Sequence, residues 1–207
     1  MKTFQDLYIV AEQGELERFK SWLLELIDKS PEWKVEERED LADFLLFRRN
    51  QTNGIQSALL FLKITDTKLS VSNIIPIHQS NLSFDEYNLI LKDFYENFVH
   101  NNPFNLRIEV TADNLLLQDI VGQAVADKLR LFSRAANKST GSSHPLDKQR
   151  WNDFVITSFN NDMIIDASTL KRWLTEEEGW DHNIASDLSV DYEKAISLLA
   201  QYEEGNN

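Results

Sequence analysis

Apolar and polar residues follow two different repeats along the first half of the chain. Residues 6–11 form a short apolar run that is typical of a strand, and residues 15–29 repeat apolar positions at helical spacing. That spacing predicts a helix with one apolar face. Ser30 and Pro31 end this helix, because a proline disfavours helical backbone in the residue before it. A further short strand is predicted at residues 33–35.

The strongest sheet signal surrounds Asn53 and Gly54, which both accept the positive φ of a tight hairpin turn. Apolar runs precede and follow this dipeptide, and a third run begins after a second turn at residues 65–68. We therefore predict a three-stranded antiparallel meander. Its strands are residues 43–49, 55–64 and 69–77.

Helical spacing returns after Ser83, which can form a capping box with Glu86 and so open a helix that extends to about His100. A last strand is predicted at residues 106–111, because apolar and polar residues alternate there. Helical spacing then continues through the second half, where Gly122 makes a break in the first long helix an open alternative. The predicted helices of this half are residues 115–135, 147–159, 168–178 and 183–203.

These elements predict an α+β protein with a mainly antiparallel N-terminal sheet of four to six strands and two helices, followed by a C-terminal helical bundle or cap. The best seam lies near residues 111–114. Residues 1–112 then form the sheet region and residues 113–207 the helical region. We expect the two regions to pack together as one unit, because no long Gly/Ser linker joins them.

The composition limits the classes of partner. The 207 residues carry a formal net charge of −13, whereas binding to nucleic acids or anionic membranes usually needs a basic face. The absence of cysteine excludes disulfides and thiolate metal sites. No segment has 18 consecutive apolar residues, and the first residues lack the apolar core of a signal peptide. We expect a cytoplasmic protein that binds neither membranes nor nucleic acids directly.

The charge is segregated along the chain. Between residues 128 and 150 the only acid is Asp147, whereas residues 151–207 contain twelve acids and three bases. One interpretation is chance variation on solvated helix faces. The other is that the basic island binds a small anion and that the acidic stretch faces a partner protein with a basic surface. The bases of the island are Lys128, Arg130, Arg134, Lys138, Lys148 and Arg150.

A polar loop inside the basic island leads into a predicted helix start, with Pro145 in the first turn and Ser143 or His144 as the cap. Unpaired N–H groups at a helix start favour phosphate or carboxylate. The spacing of a P-loop is absent. The alternative is a turn whose serines only cap and fold the chain. The candidate anion- or ligand-binding residues are Lys138, Ser139, Thr140, Ser142, Ser143, His144 and Arg150.

No recognisable catalytic or metal-binding spacing occurs. The four histidines lack metal-ligand spacing, and the adjacency of Ser143 and His144 does not aim a base at a nucleophile. A pair of carboxylates that meet in space stays open as a catalytic arrangement. We expect no metal and no cofactor, and enzymatic activity stays undecided, with the missing motifs favouring a protein that is not an enzyme.

The leading hypothesis is therefore an acidic interaction component of bacterial type, such as an immunity protein, an antitoxin or an accessory subunit, that binds a basic partner protein. Trp180 is the candidate for an exposed aromatic anchor of that interface. The alternative is a ligand-binding or enzymatic domain that acts on a phosphate-containing or other anionic substrate at loop 138–144. The candidate interface residues are Glu176, Glu177, Glu178, Trp180 and Asp181.

Overall fold

The computed structural model describes residues 1–38, 40–78 and 80–206. The chain divides into two compact units, one formed by Lys2–Asp113 and the other by Met1 with Asn114–Asn207. We call them the sheet unit and the helical unit. Packing of the two into one body stays a prediction.

The sheet unit contains a six-stranded antiparallel sheet, which confirms the predicted α+β class. Its strands are β1 (Leu7–Val10), β2 (Trp33–Glu36), β3 (Phe44–Arg49), β4 (Ala58–Ile64), β5 (Lys68–Pro76) and β6 (Arg107–Val110). The strand order is β2-β3-β4-β5-β1-β6, so the predicted meander β3-β4-β5 lies inside the sheet. At the tip of its first hairpin, Asn53 and Gly54 have φ of 53° and 76°, as the sequence predicts.

Helices α1 (Gln13–Asp28) and α2 (Phe84–Phe94) bury their apolar stripes in the same core as one face of the sheet. Helix α2 opens on the predicted capping box between Ser83 and Glu86. The predicted helix to His100 instead changes at Tyr95 into a π-helix, Tyr95–Val99. Within this segment the consecutive residues Phe98 and Val99 are both buried.

A buried charge network joins β3 to α2 within the sheet unit. Arg49 is 0% exposed, and its Nε donates to Asp93 Oδ2 at 2.9 Å. The indole Nε1 of Trp33 donates to the same oxygen at 2.8 Å. A second guanidinium nitrogen of Arg49 donates to the carbonyls of Asn50 and Ile55, so the network also holds the hairpin loop after β3. Such a buried charge is tolerated only because it is paired and hydrogen-bonded.

The helical unit contains four α-helices within its described residues: α3 (Leu117–Ala135), α4 (Pro145–Asn160), α5 (Ala167–Arg172) and α6 (His182–Asn206). Gly122 interrupts α3 with a φ of 72°, which confirms the alternative prediction that this helix is broken. The predicted helix 168–178 divides into α5 and a π-helix, Trp173–Glu177. The core gathers large aromatic side chains from α3, α4 and α6, including Phe132, Trp151 and Tyr192.

Asp166 caps α5 and gives the helical unit a pH dependence at low pH. Hydrogen bonds from the Ser168 hydroxyl and from Thr169 lower the pKa of Asp166 to about 2. Because the folded pKa lies below the unfolded value of about 4, this cap stabilises the fold above pH 4 and is lost as the pH falls towards 2. We expect Asp166→Ala to lower the free energy of unfolding at neutral pH by about 1 kcal/mol.

Urea unfolding over a pH series checks this expectation. Asp166→Asn is the matched control, because asparagine caps a helix and does not titrate. The stability of Asp166→Asn should fall less than that of the wild type between pH 4 and pH 2. Parallel pH profiles for the two proteins would contradict the assignment.

Candidate functional site

The loop after α3 is a folded turn rather than an open anion cradle. The side-chain oxygen of Asn137 accepts hydrogen bonds from both the backbone N–H and the hydroxyl of Ser139. Gly141 is buried, and a Cβ added to it would lie 3.4 Å from a methyl group of Ile184. Thr140, Ser142 and Ser143 lie on the outer part of the same turn, where Ser142 is half-buried and the other two are exposed.

The start of α4 is already capped from within the chain. His144 is the cap residue, and its Nδ1 accepts a hydrogen bond from the N–H of Leu146 at 3.3 Å. Pro145 occupies the first turn as the sequence predicts. The same turn contains Asp147, whose carboxylate interacts favourably with the positive end of the helix. A negative group is therefore present where the anion was expected to bind.

Arg150 is paired with that carboxylate. Its guanidinium donates to Asp147 Oδ1 at 2.7 Å, and Asp147 is only 5% exposed. Because a buried carboxylate needs a partner, the contact holds the first turns of α4 together. Arg150 thus has a role inside the fold besides any contact with a ligand.

The structure brings the two predicted sites of the helical unit into contact. The ammonium group of Lys138 donates to the backbone carbonyl of Glu178. The carboxylate of Glu178 accepts from the buried Ser133 hydroxyl at 2.9 Å, and this hydroxyl accepts from Trp180 Nε1 at 2.7 Å. Sequence reasoning treated the loop and the acidic cluster as separate sites, since forty residues separate Lys138 from Glu178.

The prediction that Trp180 is exposed is wrong. Its side chain is 4% exposed, and its ring is stacked on Phe132 with centroids 5.5 Å apart. A positive-φ turn at Gly179 ends the π-helix and directs the indole into the core. Trp180 therefore stabilises the helical unit and is not an exposed anchor for a partner.

The acids predicted at the interface also have partners inside the chain. Glu176 is paired with Arg172 at 2.9 Å, and a hydrogen bond from Arg172 lowers the pKa of Glu176. Asp181 accepts from the N–H groups of Asn183 and Ile184 at the start of α6. Glu177 lies 2.6 Å from the amino nitrogen of Met1. These acids contribute to the surface, but each of them already has a hydrogen-bond or ion-pair partner within the chain.

A surface that combines exposed acidic and exposed apolar residues lies farther along α6. Asp187, Asp191 and Glu193 are exposed, and the apolar side chains of Val190 and Leu198 are 43% and 67% exposed. After Tyr192, none of the described residues of α6 is buried. We call the exposed side of residues 187–202 the α6 face. In the sequence, the α6 face is indicated by apolar residues that occur on more than one side of a helix that also contains acids.

A second feature lies on the face of the sheet opposite α1 and α2. Residues of this face alternate with core residues along each strand, so the antiparallel register collects cations from five strands. The strand acids on the same face are Glu36 and Glu109. The cations are Lys34, Arg48, Lys63, Lys68 and Arg107.

This cationic sheet face was not predicted, because its members are far apart in the sequence. Part of its charge is used locally. Arg48 lies 3.6 Å from Glu36, and the Lys68 ammonium lies 3.9 Å from the centre of the Tyr8 ring. The acidic protein thus presents an excess of positive charge on one surface.

Within residues 1–38, 40–78 and 80–206, no group of three or more His, Cys, Asp or Glu side chains is placed to hold a metal ion. None of the helices described combines the length and the apolar character that crossing a membrane requires.

Comparison with known proteins gives no relative: the chain matches no protein-family model, no curated protein and no solved structure.

The internal role of Arg150 can be measured directly. Arg150→Ala leaves the buried Asp147 carboxylate without its guanidinium, so we expect a loss of about 1–3 kcal/mol in the free energy of unfolding. Urea unfolding followed by circular dichroism measures this loss. The double variant Asp147→Ala/Arg150→Ala should recover part of it, whereas unchanged stability of Arg150→Ala would show that the guanidinium is not needed for folding.

Proposed function

We propose that this protein is a non-enzymatic interaction component of bacterial type, such as an immunity protein, an antitoxin or an accessory subunit, that binds a basic partner protein through the α6 face. The observation that carries the proposal is the combination of exposed acids and exposed apolar side chains on one helix. Apolar contacts supply affinity and charges supply orientation when an amphipathic helix enters a groove on its partner.

The position of the acids on α6 supports this assignment. Asp187 and Asp191 are four residues apart and so lie on the same side of the helix, with Val190 next to them. Leu198 lies about two turns farther along. A partner groove lined by apolar residues and bordered by Lys or Arg would complement this pattern.

The alternative function, binding or turnover of a phosphate-containing substrate at loop 138–144, has less support. Lys138, His144 and Arg150 each hydrogen-bond within the chain, and Asp147 places a carboxylate in the first turn of α4. An anion would have to displace these contacts. We retain this function as the second hypothesis, because Ser143 and Thr140 are exposed beside the start of α4.

Affinity capture from the cells that produce the protein, with quantitative mass spectrometry, tests the proposal. The wild type should enrich a basic protein that Leu198→Asp and Asp187→Lys/Asp191→Lys lose. Ile156→Asp on α4 is the matched control, because Ile156 is also an exposed apolar residue of the helical unit. Ile156→Asp should keep the partner. Retention of the same proteins by all variants, or enrichment of acidic proteins alone, would overturn the proposal.

A further inference from the structure

Strand β6 is an edge of the sheet, since within the described chain it pairs with β1 and has no strand on its other side. An edge strand presents backbone N–H and C=O groups that can pair with another chain. Natural proteins often protect such edges with charged residues or a short strand. β6 is short and has two charged residues. The arrangement of these charges decides whether they prevent pairing with any strand or allow pairing with a strand of complementary charge.

The hydrogen-bond pattern defines which residues of β6 face the open edge. Thr111 N donates to the Asp6 carbonyl at 3.0 Å, so the neighbouring residues that face β1 are Glu109 and Arg107. Antiparallel strands alternate in this respect. The N–H and C=O groups of Ile108 and Val110 therefore point away from β1, towards the open edge.

The charges of β6 are self-complementary. Arg107, Ile108 and Glu109 place a cation and an anion symmetrically about Ile108. If a second β6 pairs antiparallel with Ile108 opposite Ile108, Arg107 of each copy lies opposite Glu109 of the other. At the Arg107–Glu109 positions the two backbones exchange no hydrogen bonds. Opposite side chains approach most closely in such pairs. Both charged side chains are exposed, so both are accessible to a second chain.

The helix side of β6 offers apolar contact for the same arrangement. Ile108 and Val110 line a groove of about 280 Å³ whose other wall includes Leu91 and Tyr95. Val110 is exposed, and Ile108 is half-buried. Side chains of a second β6 that point to the helix side would cover this groove and remove its apolar surface from water.

We propose that two copies of this chain form a symmetric dimer by antiparallel pairing of their β6 strands about Ile108. The two sheets become one continuous sheet, with reciprocal Arg107–Glu109 ion pairs on the face opposite the helices. The contact is isologous, so it closes at two copies and does not continue into a fibre. It is independent of the α6 face and goes beyond the function proposed above.

Sedimentation velocity on the full chain over a concentration series, in about 0.15 M salt to screen the overall negative charge, tests the proposal. We expect the wild type to be a concentration-dependent dimer. Arg107→Glu and Glu109→Arg should each raise the dimer dissociation constant about tenfold or more. Each reversal places like charges at positions 107 and 109, and the symmetry of the dimer makes this contact occur twice. The double variant Arg107→Glu/Glu109→Arg restores opposite charges and should restore the dimer.

Two controls keep the outcomes distinct. Arg18→Glu on α1 alters the net charge as Arg107→Glu does and should leave the dimer unchanged. Ile108→Pro removes an N–H that points to the open edge, where proline is tolerated, and should give a monomer with native circular dichroism, whereas Ile108→Val should remain a dimer. A monomeric wild type would overturn the proposal, and so would a dimer that the single reversals leave intact or that the double variant does not restore.

Discussion

Replacement of Asp93 by alanine is expected to lower the free energy of unfolding of the sheet unit by about 3–5 kcal/mol. The variant leaves the guanidinium of Arg49 buried without its carboxylate. It also removes the acceptor of the Trp33 indole N–H. Glu32 remains 3.9 Å from the guanidinium, but a buried charge that loses its closest carboxylate costs far more than the loss of an exposed ion pair.

Urea unfolding combined with hydrogen-exchange mass spectrometry measures this effect and assigns it to the sheet unit. Lys92→Ala is the control, because both side chains of the Lys92–Glu96 pair are exposed. It should cost less than about 1 kcal/mol. The double variant Arg49→Met/Asp93→Leu removes both charges and should recover most of the loss. Equal stability of Asp93→Ala and the wild type would contradict the role assigned to this network.

Replacement of Trp180 by alanine should lower the free energy of unfolding of the helical unit by about 3–5 kcal/mol, because the buried ring leaves a large cavity beside Phe132. An exposed interface tryptophan would give almost no change in stability. Trp180→Phe keeps the ring stack and loses the N–H donated to Ser133, so its cost should be about 1–3 kcal/mol.

Thermal and chemical unfolding of the two Trp180 variants measure these costs. Leu198→Ala on the α6 face is the comparison, since this side chain is mostly exposed and its removal should change stability by less than about 0.5 kcal/mol. If Trp180→Ala were as stable as Leu198→Ala, the indole would not belong to the core in solution.

Local patterns in the sequence were sufficient to predict most of the fold. The meander follows from apolar runs separated by Asn53-Gly54, and the start of α2 follows from the reciprocal contacts of Ser83 and Glu86. The interruption of α3 at Gly122 was also visible, as an alternative. Each of these features depends on residues that are neighbours in the chain.

Features that depend on distant contacts could not be predicted in this way. No spacing rule indicates that Lys138 reaches the carbonyl of Glu178 or that Trp180 turns inward to Ser133. The cationic sheet face emerges only when the strand register collects single lysines and arginines from five strands. The two π-helices are local departures from the α-helical repeat, which an average helical period does not predict.

The candidate sites show the same limit of sequence reasoning. A loop rich in hydroxyls before a helix start is typical of an anion site, but an equally common use of those groups is to cap and turn the chain. His144 and Asn137 hydrogen-bond in that second way, within the loop and the first turn of α4. The acidic stretch was predicted as a partner surface, and the α6 face is a part of it in which exposed acids and exposed apolar residues share one helix.

Site-specific photo-crosslinking in the cells that produce the protein tests the central claim most directly. A photoreactive residue replaces Lys194 on α6 or, in the matched control, Lys148 on α4, since both lysines are exposed. We predict that position 194 crosslinks to a basic protein and that position 148 does not. Crosslinks from position 148 alone, or from neither position, would contradict the assignment of the α6 face as the surface that binds a partner.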